Sequence, residues 1–102
     1  MSYYERLVRQ GEFRVIRVDG TETLYEEKPT LARIFAAIGC TCIDTVTLDR
    51  ENEIVMLVDD TGMVDGKPVN RKATHLYHDV CKPGTAWAIH GDVAIVNDKD
   101  FA

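Results

Sequence analysis

No stretch of this sequence approaches the roughly 20 consecutive apolar residues of a membrane-spanning helix, so a transmembrane span is excluded as an organising element. The opening MSYYERLVRQ lacks a basic segment followed by an apolar run, which argues against a secretory signal and leads us to expect the cytoplasm. Cysteine is sparse and odd in number (Cys40, Cys42 and Cys81), so reduced thiols are expected rather than a disulfide framework. Positive charge is also short: 12 basic residues face 17 acidic ones, a net charge of −5. That deficit speaks against direct nucleic-acid binding, which needs a basic footprint. It permits an acidic surface that competes for a nucleic-acid-binding partner, although a charge of this size is also ordinary for a soluble protein, the simpler reading. There is no Gly-rich phosphate loop of the Walker type and no Gly-x-Ser-x-Gly. Repeats, linkers and low-complexity tracts are missing too, so residues 1–102 are expected to form one domain.

What remains is a regular alternation of element signals. SYYERLVRQG, with Ser2 and Glu5 as a capping box and Gly11 as a stop, predicts a short, peripheral opening helix over 2–11. Tyr3 and Tyr4 on it suit a dimer contact or a solvent-facing amphipathic helix. EFRVIRVDG and TETLYEE predict two strands joined at Asp19-Gly20. In KPTLARIFAAIGC, Leu31, Ile34, Phe35 and Ile38 recur at helical spacing, Thr30 supplies an N-cap and Gly39 a left-handed stop. CIDTVTLD and EIVMLVD predict a further hairpin turned at RENE. VNRKATHLYHD predicts a helix capped by Asn70, with Ala73, Leu76 and Tyr77 on its buried side. TAWAIHGDVAIVND predicts a closing strand, or a bent pair of strands around Gly91. The order α-β-β-α-β-β-α-β lacks the strict alternation of a parallel sheet. The expected fold class is therefore α+β, a mostly antiparallel sheet with two or three short helices.

Several residue groups invite a chemical reading. Asp60-Thr61-Gly62 matches the aspartic-protease triplet, but a second carboxylate precedes it, no later apolar-Gly-Arg segment buttresses it, and Asp and Gly are what a turn requires. We read it as a turn. His75, His78 and Cys81 are spaced three apart and, with Cys40 or Cys42, compose either a zinc site or ordinary surface histidines and half-buried thiols; no Cys-x-x-Cys knuckle accompanies them. Cys81 with His78 or His90 is a conceivable nucleophile pair that nothing local supports. An enzyme is not expected, nor a cofactor. Arg71 and Lys72 occupy the first turn of the Asn70-capped helix, where the helix dipole disfavours cations. With the free backbone N–H groups there and the Thr74 hydroxyl, Asn70, Arg71, Lys72 and Thr74 compose an anion site suited to phosphate. The alternative is a solvated pair of cations matched to Asp59, Asp60 or Asp65. Trp87 reads as an interface anchor, a base-stacking platform or core.

The segment IDTVTLDRENEIVMLVDDTGMVDGKPVNRKATHLY followed by GDVAIVND resembles an uncharacterised domain family frequent in bacteriophage, plasmid and conjugative-element proteins. The pattern is carried by Asp59, Gly62, Pro68, Asn70, Ala73, Thr74, Gly91 and Asp92, and the resemblance extends over about residues 13–97. The chain departs from it at Cys40, where a second glycine is expected. The resemblance implies no activity; it implies a small accessory protein of a phage or mobile element. Joined to the anion-site reading, it leads us to expect a non-enzymatic counter-defence module, acting in the cytoplasm of a bacterial host, that sequesters a phosphate-bearing ligand such as a signalling nucleotide; a homo-oligomer is compatible with that role. The alternative is an acidic module, using Asp59, Asp60, Glu26 and Glu27, that blocks a host nucleic-acid-binding protein. A second alternative is a small zinc-stabilised protein.

Overall fold

In a computed structural model, which describes residues 8–40, 42–80 and 87–101, the chain forms a five-stranded sheet flanked by two helices. Strand β1 (Phe13–Ile16) turns at Gly20 into β2 (Glu22–Tyr25). The turn needs glycine, since Gly20 has φ +89°, and Asp19 closes it by accepting from the Thr21 amide at 2.9 Å. Helix α1 (Leu31–Ile38) begins at Thr30, whose hydroxyl accepts from the Arg33 amide, and ends at Gly39 in the left-handed region at φ 66°. Next come the hairpin strands β3 (Ile43–Asp49) and β4 (Ile54–Asp59), then helix α2 (Arg71–Val80), strand β5 (Val93–Asn97) and a 3-10 turn, Asp98–Phe101. The expected α+β fold with an antiparallel sheet is what forms. The expected opening helix falls mostly outside the described residues; of its last residues, Gln10 and Gly11 form a turn and Val8 is buried.

The strand order is β2-β1-β5-β4-β3, and every neighbouring pair is antiparallel. Each hairpin pairs locally, and the last strand inserts between them. Alternation then divides the central strands between two cores. Ile54, Met56 and Val58 of β4 and Val93 and Ile95 of β5 face α2 and pack with Ala73 and Leu76. Val55 and Leu57, with Ala94 and Val96, face α1 and pack with Ile34 and Ile38. This is why all six residues of β4 are buried: a strand covered on both faces reads as a continuous apolar run. Strand β3 has Leu48 as its one buried residue, the rest being half-buried or exposed, as befits an edge strand.

Candidate functional site

The turn after β4 is built around one buried carboxylate. Asp59 is almost wholly enclosed, and its Oδ1 accepts from the Thr61 amide at 3.0 Å and lies 3.1 Å from the Thr61 hydroxyl. Its Oδ2 is paired with the Lys67 ammonium, which also donates to the Gly39 carbonyl at 2.9 Å. Burial pushes the Asp59 carboxyl up, but the Lys67 and Thr61 bonds outweigh it and hold it below its ordinary value. The Asp59 bond holds the Lys67 ammonium above its ordinary range, against the opposing effect of burial. Burial first, and then the Asp59 charge, raise the neighbouring Cys40 thiol. Asp60-Thr61-Gly62 is thus part of a turn, as the sequence suggested, and the carboxylate organising it is Asp59.

This turn packs against the segment leading into β5. A Cβ on Gly62 would stand 2.7 Å from the His90 carbonyl oxygen, so the two backbones approach more closely than a side chain allows. Segment 87–91 is then tied down from α2 and from the loop before it. His78 Nε2 donates to the Trp87 carbonyl at 2.7 Å, the Ile89 amide donates to the Thr74 hydroxyl at 2.9 Å, and His90 Nδ1 donates to the Lys67 carbonyl at 2.8 Å. Val69 and His90 form an antiparallel bridge, the Asn70 amide donates to the Ile89 carbonyl, and the Gly91 amide donates to the Pro68 carbonyl. On this fixed backbone Trp87 stands 63% exposed.

Trp87 rims a groove of about 600 Å³ between α2 and β3. Its walls include Tyr77 and Val80 of α2, with Met63 from the turn; Asp44 of β3, Asp59 at the end of β4 and Asp60 just beyond it add three carboxylates. Among the described residues no Lys or Arg lines it, and Asp59 alone of the three is matched by an ammonium. Apolar rim and unmatched acids together suit a cation carried on an apolar partner.

The residues expected to bind an anion are placed differently. Asn70 is fully buried: its Oδ1 accepts from the Ala73 amide at 3.1 Å, capping α2, while its Nδ2 donates to the Ile16 and Gly91 carbonyls at 2.9 and 3.1 Å. Thr74 turns inward to hold Ile89. Lys72 donates to the Gly20 carbonyl at 2.7 Å and pairs with Glu22 at 2.9 Å, not with Asp59, Asp60 or Asp65. Only Arg71 and Lys72 come together, with His75, in a second cleft of about 620 Å³ that also holds Glu22 and Asp79. Asp59 and Asp60 are likewise separated from Glu26 and Glu27, which follow the opposite edge strand, β2; Glu27 lies 3.8 Å from Arg33. Among the described residues no group of three or more His, Cys, Asp or Glu is placed to hold a metal, and Cys81 lies outside them.

Asp44, Met63 and Val80 line the groove without any local motif that marks them. One signal was present: IDTVTLD is far more polar than its hairpin partner IVMLVD, which marks β3 as the exposed edge. The chain matches no curated protein and no solved structure. The family model described as a domain of unknown function, DUF3846, matches residues 13–102, the whole span of the sheet and both helices. The chain belongs to the DUF3846 family.

Proposed function

We propose that this domain is a non-enzymatic binding module of a phage or other mobile element, and that it blocks a basic host protein through the groove between α2 and β3. One observation carries the reading: an exposed Trp87 on an immobilised backbone, beside three carboxylates of which Asp59 alone is paired with an ammonium, in a groove that no Lys or Arg lines among the described residues. Exposed aromatics that need no further ordering are the usual anchors of protein interfaces, and truncating such an anchor typically costs 2 kcal/mol or more, on the order of thirtyfold in affinity. The unmatched acids select a basic partner, such as a nucleic-acid-binding protein. The mobile-element setting rests on the resemblance of the sequence pattern alone. The test is a pulldown from bacterial lysate with the natural chain beside Trp87→Ala, Asp60→Lys and Arg71→Glu. The expected outcome is a basic protein retained by the natural chain and by Arg71→Glu, lost with the two groove variants and weakened by added salt. Equal retention by all four chains would refute the reading.

A second reading keeps the start of α2 as a phosphate site, favoured by Arg71, which forms no ion pair among the described residues and shares its cleft with Lys72 and His75. Calorimetric titration with phosphorylated nucleotides tests it, and the absence of binding heat removes it.

A further inference from the structure

We propose, building on the groove reading, that the partner supplies an extended segment that adds to the sheet as a sixth strand along β3. The backbone parity of β3 follows from two contacts. The Asp60 amide donates to the Cys42 carbonyl, so Cys42 and Asp60 form a hydrogen-bonded pair, one step beyond the Ile43–Asp59 register. In an antiparallel ladder bonded and non-bonded pairs alternate. Asp44 and Val46 therefore turn their backbone groups toward β4, and Ile43, Thr45 and Thr47 turn theirs outward. The Thr45 amide confirms the parity, since it donates to the Asp44 carboxylate at 2.9 Å rather than to β4. Among the described residues no backbone bond beyond the hairpin uses Ile43, Thr45 or Thr47. They present a row of outward donors and acceptors repeating about every 6.8 Å, the template that an added strand requires.

The groove decides what that strand carries. Asp44 and Val46 lie on the α2 face of β3, since their register partners Val58 and Met56 belong to the α2-side core. An added strand about 4.8 Å away projects alternate side chains onto the same face, beneath Trp87 and Val80 and beside Asp44 and Asp60. Alternating basic and apolar residues satisfy that surface, with small polar residues on the other face. A lysine drawing Asp44 into an ion pair also releases the Thr45 amide for the incoming strand. A second copy of β3 is the poorer occupant, because it sets Asp44 and Asp49 of one chain beside those of another, each chain carrying −5.

The probe is a capped peptide alternating threonine with lysine, one central lysine replaced by valine, titrated into the full chain. Binding is read from Trp87, the single tryptophan, and from amide exchange at Ile43, Thr45 and Thr47. The expected result is slowed exchange at Ile43, Thr45 and Thr47, and an affinity loss of about tenfold or more when the peptide's β3-facing amides are N-methylated. Equal binding of the methylated peptide, with Trp87 still responding, overturns strand addition and leaves the groove reading standing. No Trp87 response to either peptide, or a dimer paired through β3 in sedimentation, overturns strand addition; the former also removes the groove reading.

Discussion

An asparagine without exposed surface must satisfy its amide inside the protein, and Asn70 does so by joining three parts of the chain. It caps α2 through Ala73 and donates to carbonyls of β1 and of the turn before β5. Asn70→Ala removes the cap and leaves two carbonyls without their donor. We expect a loss of about 2–4 kcal/mol, and hence a Tm lower by roughly 10–20 °C, in a thermal melt. A loss of a degree or two would mean that water replaces the amide. Asp59 contributes in a pH-dependent way. Its folded pKa lies below the ordinary 3.8, so its stabilisation is complete above that value and disappears as pH falls through the folded pKa. Thermal melts from about pH 6 to about pH 2 should show the natural chain losing stability more steeply than Asp59→Asn. The variant should be the weaker protein near neutrality, with the gap narrowing in acid. Parallel curves would exclude the Asp59–Lys67 pair as the cause.

At the scale of elements, the last strand holds the others together. Helix α1 has eight residues and, by length alone, would be marginal in water. It persists because Ile34 and Ile38 dock on Phe13, Val55 and Val96, each buried aliphatic contributing on the order of 2 kcal/mol. Those docking residues come from strands that do not touch without β5: β1 and β4 each pair with β5 and not with one another. A chain ending at Gly91 keeps both hairpins yet loses the strand between them, and isolated hairpins are at best marginally stable. We expect such a chain to show no cooperative unfolding transition and to bind a hydrophobic dye. A sharp melt would mean that the two hairpins can close on each other directly.

Across the whole molecule, the strand order sets which surfaces stay open. It leaves β2 and β3 at opposite edges and separates charge between them. Arg14 and Lys72 gather around Glu22 near β2, while the acids of the α2–β3 groove carry no matching Lys or Arg among the described residues beyond Lys67. The β3 edge carries two features that discourage indiscriminate pairing, the Asp44 cover on Thr45 and an irregularity in register between Thr47 and Asp49. Among the described residues no element covers this edge, and its negative charge disfavours acidic chains relative to basic ones. Binding at it should therefore weaken as ionic strength rises, a dependence that an uncharged hydrophobic dock would lack.

The elements were legible because their signals are local. Thr30 and Gly39 bound α1, Asn70 starts α2 and Gly20 turns the first hairpin, each through contacts within a few residues. Apolar alternation likewise marked the strands and the α+β class. The site was not legible in the same way. Trp87 could be core or anchor on sequence grounds, and only its fixation by Thr74 and Lys67 through its neighbours, and by His78 directly, leaves it outside. Asn70 and Thr74 suited an anion by type, yet segment 87–91 and β1 claim their polar atoms. Asp44 and Trp87 line one groove only because β5 inserts between two hairpins and draws the segment before it over α2. Caps, turns and periodicity depend on neighbours in the chain, so the sequence alone determined them. Edges, grooves and free charges depend on which distant strands pair, and that choice belongs to the tertiary structure.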